Sequence, residues 1–260
     1  MVNMNIFHYD NVGYRMAMPI FSAKRDQNDN FDVKGTILGT CFPIGNDYFM
    51  TAGHVLNQIP KNEGVVCLHN EQNLFKGAPI VETEILSYDL GLFKVEYIDS
   101  RHQSCFDILN WSEKSLFIFD KVRSLGYPYG LTENRGKKGI AQRGFEGTVV
   151  VPLLEFSPPG SSYPPFAVYE LSFPAPRGLS GAPLLSVDDK NHIAGIIIGN
   201  SSSSIEVFSS KETEGDKAYE VRETMSLAVA VQEGQVFLTK SKLLGKTIGD
   251  HLKYMGLLSR

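Results

Sequence analysis

The sequence predicts an all-β protein, a sandwich or a pair of barrels, finished by one C-terminal helix. Two observations carry this. Short runs rich in Val, Ile, Phe and Tyr recur along the chain, separated by Gly, Pro, Asn and Asp clusters. Helical periodicity, by contrast, is strong only near the C-terminus, so many short strands and a single terminal helix must share the core.

The predicted strands follow in order. Lys34–Leu38, Tyr48–Thr51, Gly64–Leu68 and Leu90–Val95 fill the first half, and Gly147–Leu154, Phe166–Phe173 and Ile193–Ile198 the second. A boundary is expected around Asn110–Asp120, where two halves of similar length meet. Near the end, Leu244, Ile248, His251, Leu252 and Met255 fall on one helical face. Gly245 and Gly249 weaken that helix, so docking on the body must hold it. Two polar stretches, Ser157–Pro165 and Asn200–Lys217, read as exposed loops that flank a substrate groove or merely cover the surface.

Composition narrows the function classes. Hydrophobic residues make up 42% and charged residues 21%, which suits a folded globular protein and not a disordered one. A net charge of −4 argues against nucleic acid or an anionic membrane as partner, because phosphate binding needs a basic excess. No apolar run approaches the roughly 20 residues that span a bilayer. Residues 1–10 lack a hydrophobic signal core, so a cytoplasmic location is expected. The three cysteines, Cys41, Cys67 and Cys105, are scattered and odd in number, and read as reduced thiols. His8, His69, His102, His192 and His251 show no metal-ligand spacing, and no phosphate-cradling glycine loop is present. No metal and no cofactor are expected.

Three segments carry chemistry. Tyr48–Val55 is an apolar strand ending in small residues and His54. Leu86–Leu92 places Asp89 at the head of an apolar strand. Pro176–Pro183 holds Ser180 between glycines. A serine hydroxyl is a weak nucleophile near neutral pH and needs a base within hydrogen-bond reach. Histidine suits that role, and a carboxylate behind it fixes the tautomer and stabilises the imidazolium. Glycines free the backbone to aim N–H groups at a developing oxyanion, and Gly178 and Ser180 are the expected donors. The order histidine, aspartate, serine excludes an α/β-hydrolase, whose triad starts with serine in G-x-S-x-G; position 182 here is alanine.

In these segments the sequence resembles the trypsin-like peptidases, in particular the bacterial disulfide-free branch similar to HtrA-type protease domains. Thr51-Ala52-Gly53-His54 is similar to the family's TAxH motif and Tyr88-Asp89-Leu90-Gly91-Leu92 to its aspartate motif. Gly178-Leu179-Ser180-Gly181-Ala182-Pro183 resembles its serine motif. Gly39-Thr40-Cys41-Phe42 and Gly126-Tyr127-Pro128-Tyr129-Gly130 resemble the openings of its two barrels. The resemblance implies two six-stranded antiparallel β-barrels packed face to face with a C-terminal α-helix. On that reading residues 1–115 form the barrel with His and Asp, 116–235 the barrel with Ser and oxyanion hole, and 236–260 the helix. It implies a serine endopeptidase acting on protein or peptide substrates through His54, Asp89 and Ser180.

Departures from the family pattern shape the expectation. Leu179 stands where secreted relatives carry an aspartate, and no cleavage-activation signal is present. Val55 stands where secreted members carry a cysteine. The family's pocket base, six residues before the serine, falls on Pro174 beside Ala175, and no acidic residue lies between Leu171 and Leu179. A neutral or apolar residue is therefore expected before the cleaved bond. The strand through Ile198, Gly199 and Asn200 is expected to present its backbone to an extended substrate. Leu179 also keeps open a trypsin-fold binding or scaffold protein with a collapsed oxyanion hole. A protease gated by a regulatory protein partner, with residues 200–217 as the gating loop, is a third expectation.

Overall fold

In the computed structural model the described residues are 2–8, 15–25, 31–32, 37–61, 63–69, 74–96, 106–128, 132–134, 137–158, 164–214 and 217–258. Cys105, His102, Tyr129, Gly130 and the centre of the 157–165 stretch lie outside them. The first half carries β1 (Val2–His8), β2 (Met18–Ser22), β3 (Lys24–Arg25), β4 (Phe31–Asp32), β5 (Ile37–Gly45) and β6 (Tyr48–Ala52). After α1 (Gly53–Asn57) come β7 (Gly64–His69), β8 (Leu74–Ile85) and β9 (Leu90–Val95). The second half carries β10 (Lys121–Gly126), β11 (Thr132–Asn134), β12 (Lys137–Ile140), β13 (Arg143–Phe156), β14 (Phe166–Leu171), β15 (Pro183–Ser186), β16 (His192–Glu214) and β17 (Lys217–Gln232). The chain ends with α2 (Glu233–Leu238), β18 (Lys240–Ser241), β19 (Lys246–Thr247) and α3 (Ile248–Tyr254).

Two six-stranded antiparallel barrels result. The first runs β8-β7-β2-β5-β6-β9 and closes where β9 returns to β8; β1, β12 and β11 extend its sheet outside the barrel. The second closes in the order β10-β13-β14-β17-β16-β15. Full closure leaves no free barrel edge, which is how small strands avoid an exposed pairing surface. Each barrel is filled by the inward residues of alternating strands. Phe49 and Phe93 stack at 5.6 Å in the first, and Val122, Leu171, Leu184 and Ile197 are fully buried in the second.

The connection between barrels is anchored, not slack. Trp111 is fully buried, bridges to both Ile193 and Leu258, and packs against Phe42 and Phe237. The C-terminal helix is docked as its weak propensity requires, with His251 Nε2 3.0 Å from the Ile44 carbonyl and Thr247 capping through the Asp250 N–H. It begins at Ile248, so Leu244 falls in the turn before it and not on the helix; the short β18–β19 hairpin intervenes. Among the described residues, no helix is long and apolar enough to cross a membrane.

The described residues of the 200–217 stretch, 200–214 and 217, lie in strands and not in a loop. The backbone continues β16 to Glu214 and pairs with β17 from Lys217, with Ser204 opposite Ser226 and Glu214 opposite Lys217. The run of four serines masks this in the sequence, because serine favours turns; the register with β17 shifts across that run and resumes at Ser204.

Candidate active site

Strand register builds the site. In the β6–β9 pair Thr51 lies opposite Gly91 and Ala52 opposite Leu90. The residues that follow β6 therefore meet those that precede β9, which brings His54 and Asp89 together. At Ala52 the chain is still extended, and α1 begins at the next residue, so His54 projects from a sharp strand-to-helix corner.

Asp89 grips His54 at two points. One carboxylate oxygen accepts the His54 backbone N–H at 2.8 Å, and the other lies 2.6 Å from ring Nδ1. An ionised carboxylate only accepts, so Nδ1 carries the proton and Nε2 is the basic nitrogen. The Asp89 side chain is 8% exposed while that of His54 is 41% exposed, so the pair has a buried root and an open tip. Tyr88 and Asp89 both take left-handed backbone conformations, with φ of 64° and 56°, and a Leu86–Leu90 hydrogen bond of 2.8 Å closes the turn around them. Two adjacent non-glycine residues in this region are costly, and such strain gathers where a side chain must be aimed.

Ser180 is half-buried on the turn between β14 and β15. The Leu179 N–H donates to the Pro176 carbonyl at 2.9 Å, and Gly178 has φ of +99°, the pattern of a type II turn. A side chain at Gly178 would place its Cβ 2.5 Å from the Tyr127 carbonyl, so position 178 needs glycine twice over. Among the described residues, neither the Gly178 N–H nor the Ser180 N–H donates to a protein acceptor. Gly181, with φ of +87°, has no room for a Cβ against Thr40 O and Thr51 Oγ1, which seats the serine turn directly on the corner that carries His54. Among the described residues, no hydrogen bond joins Ser180 Oγ to the imidazole; such contacts are often loose without substrate.

Thr40 holds this arrangement and was not singled out by sequence. Fully buried on β5, it donates its hydroxyl to the Gly178 carbonyl at 2.7 Å and accepts the Tyr127 N–H at 3.1 Å. Its own N–H donates to the Ser180 carbonyl at 2.8 Å, and its carbonyl accepts from the Thr51 hydroxyl at 2.7 Å. One first-barrel residue thus ties down the carbonyls on both sides of Leu179. The available signal was the Gly39-Thr40-Cys41-Phe42 motif, which by itself assigns the threonine no partner. Leu179 itself is fully buried in the apolar core of the second barrel, so it anchors the turn by packing.

The expected substrate-binding residues separate. Ile198 is 4% exposed and its side chain belongs to the core. Ala175 is also buried, in the core of the second barrel, while Pro174 and Gly199 are half-buried and Asn200 is exposed; the Asn200 amide reaches across to Ala175. It accepts the Ala175 N–H at 2.7 Å and donates to the Ala175 carbonyl at 3.0 Å. Cys41 and Cys67 are buried, and burial pushes both thiols up in pKa. Among the described residues, no group of three or more His, Cys, Asp or Glu is placed to hold a metal ion.

The family profile described as "Trypsin-like peptidase domain" matches residues 39–196. No curated protein matches. Among solved structures the fold is similar to the MamO protease domain from Magnetospirillum magneticum, at 14% identity and a TM-score of 0.55, over 85% of this chain and 94% of that one. It is also similar to Rv3671c from M. tuberculosis H37Rv, in the inactive form of a serine-to-alanine mutant. That match has 18% identity and a TM-score of 0.52, and covers 93% of this chain and 88% of the other. At these identities the likeness is one of fold.

Proposed function

The chain belongs to the trypsin-like peptidase family, and on that premise we propose that it is a serine endopeptidase with His54, Asp89 and Ser180 as its triad. The observation that carries this reading is the two-point grip of Asp89 on His54, beside a serine turn locked to the same corner.

The proposed cycle uses each group once in each half. Ser180 Oγ attacks the scissile carbonyl carbon while its proton passes to His54 Nε2. The carbonyl oxygen becomes an oxyanion held by the Gly178 and Ser180 N–H groups, each worth about 3–4 kcal/mol where such donors have been removed in other enzymes. The C–N bond then breaks, and the departing amine takes the proton from Nε2, leaving an acyl ester on Ser180. Water attacks that ester, again with its proton going to Nε2, and the acid product leaves as Ser180 recovers its proton. Asp89 stays ionised throughout and pairs with the imidazolium in both halves.

A cytoplasmic location is part of this reading, since three scattered cysteines, odd in number, fit a reducing compartment. Intact-mass measurement after a fluorophosphonate probe tests the whole reading. A single adduct on the parent chain, absent from S180A, is expected. An unmodified parent chain would leave a trypsin-fold scaffold in its place.

A further inference from the structure

The connection between the barrels carries apolar bulk that the fold does not use. Phe117, Ile118 and Phe119 follow one another there and are 69%, 51% and 81% exposed. The segment is firmly held. The Phe117 N–H donates to the Asp120 carboxylate at 2.7 Å and the Asp120 N–H to the Phe117 carbonyl at 3.1 Å, which closes a four-residue turn. The Phe119 N–H donates to the Val149 carbonyl at 3.0 Å and the Val149 N–H to the Asp120 carbonyl at 3.1 Å, which ties that turn to β13. Phe119 is the third residue of the turn, with φ of 71°, a place that suits glycine and is costly for a bulky side chain. A ring held there in water adds little to folding, so its use lies outside the chain.

Beside the turn opens a cavity of about 430 Å³. Phe117 belongs to both, and the buried Leu116 joins it in the cavity wall. The charged residues of that wall are Asp120, Asp188 and Asp189 against Lys114, an excess of two carboxylates. Asp188 and Asp189 follow β15 at the end remote from the Ser180 turn, so an occupant here leaves the nucleophile clear. The three exposed side chains offer on the order of 400 Å² of apolar surface, as much as the largest patch on many monomers. A stable dimer covers about 800 Å² on each partner, so the area suits a short segment better than a second copy. Interfacial membrane anchors surround their apolar residues with Lys and Arg, whereas carboxylates prevail here.

We infer that the Phe117–Phe119 turn and the cavity next to it dock a short segment of a partner protein. Its apolar side chain packs on the two phenylalanines, and its arginine or lysine meets Asp120, Asp188 and Asp189. The inference does not depend on catalysis by Ser180. The test selects phage-displayed random dodecapeptides on the immobilised full chain and depletes them on F119G, which keeps the turn because glycine suits a positive φ. F117S serves as a second depletion. Surviving peptides, resynthesised with a fluorescein label, are titrated by polarisation. They are expected to combine an aromatic or branched aliphatic residue with arginine or lysine. They should bind F119G at least tenfold, and D188K severalfold, more weakly than the parent chain. F119G is expected to melt no lower than the parent, which separates lost docking from lost folding. No surviving peptide, survivors rich in Asp or Glu, or survivors indifferent to D188K overturn the inference. So does flotation of the parent chain, but not of F119G, with phosphatidylcholine–phosphatidylserine vesicles, which assigns the turn to a bilayer. A dimer in sedimentation that F119G dissolves assigns it to a second copy and overturns the inference equally.

Discussion

The Thr40 hydroxyl of the first barrel donates to the Gly178 carbonyl of the second at 2.7 Å, while the Thr40 N–H donates to the Ser180 carbonyl at 2.8 Å. The peptide units that follow Gly178 and Ser180 are therefore fixed by one buried side chain and its backbone. Because the N–H groups of Gly178 and Ser180 belong to the same short turn, their direction is set across the barrel interface and not within the turn alone.

Thr40→Val keeps the shape and removes the hydroxyl, leaving Gly178 O and Tyr127 N–H without that partner. Stability is expected to fall by about 1–3 kcal/mol. Turnover is expected to fall about 100-fold as the oxyanion donors drift, with KM little changed, since Thr40 is fully buried and out of reach of substrate. Thr40→Ser restores the hydroxyl and should restore most of kcat. Steady-state kinetics on both variants checks this; a loss carried by KM, or no rescue by serine, contradicts the positioning role.

Many of the barrel strands and the meeting of His54 with Asp89 were legible in sequence, for different reasons. Runs such as Leu90–Val95 have the β-branched and aromatic content of a buried strand, and β9 occupies those same residues. His54, Asp89 and Ser180 sit in short motifs whose chemistry is local. What stayed hidden depends on partners distant in sequence. Thr40 looks like any strand threonine until Gly178 and Ser180 arrive 138 and 140 positions later. The Ser201–Ser204 run reads as loop, yet it lies within β16, where the register with β17 shifts between Asn200 and Ser204 and resumes at Ser204 opposite Ser226. The left-handed pair Tyr88 and Asp89 carries no glycine to announce it.

Leu179 supports the nucleophile turn through burial in the second barrel's core. Leu179→Ala is expected to cost about 2–5 kcal/mol, the usual range for a buried large-to-small change. Leu179→Met, which conserves volume, should cost less than about 1.5 kcal/mol. Chemical denaturation gives both values. Fluorophosphonate labelling of the folded alanine variant should be slower than that of the methionine variant. Equal labelling would separate Leu179 from the geometry of Ser180.

Glu233, at the first position of α2, accepts from the Ser115 hydroxyl and from the Tyr169 hydroxyl, both at 2.8 Å. Burial pushes its carboxyl up from the ordinary 4.5, although both hydrogen bonds pull the other way. A carboxyl raised in the folded chain binds its proton more tightly folded than unfolded. Its contribution is full below the unfolded value and is lost as pH rises through the folded one. Relative to Glu233→Gln, which does not titrate, the parent chain should therefore lose thermal stability on going from about pH 4 upward. Melting curves for the two proteins that stay parallel across that window would place Glu233 in a site that does not resist ionisation.

Asp89 serves two donors at once, the His54 backbone N–H and the ring Nδ1–H. Asn has one acceptor and one donor where the carboxylate has two acceptors. In Asp89→Asn the amide oxygen keeps one contact, and the amide N–H must face the other donor or force the ring into its alternative tautomer. The proton then sits on Nε2, where the base is needed. Turnover is expected to fall by about four orders of magnitude, the loss known for this change in the family's triad template. Binding should persist, because the variant leaves the Gly178–Ser180 turn and the Asn200–Ala175 hydrogen bonds beside it in place. Single-turnover kinetics together with a competitive peptide inhibitor resolve the two effects. A variant that acylates within tenfold of the parent rate would remove Asp89 from the triad.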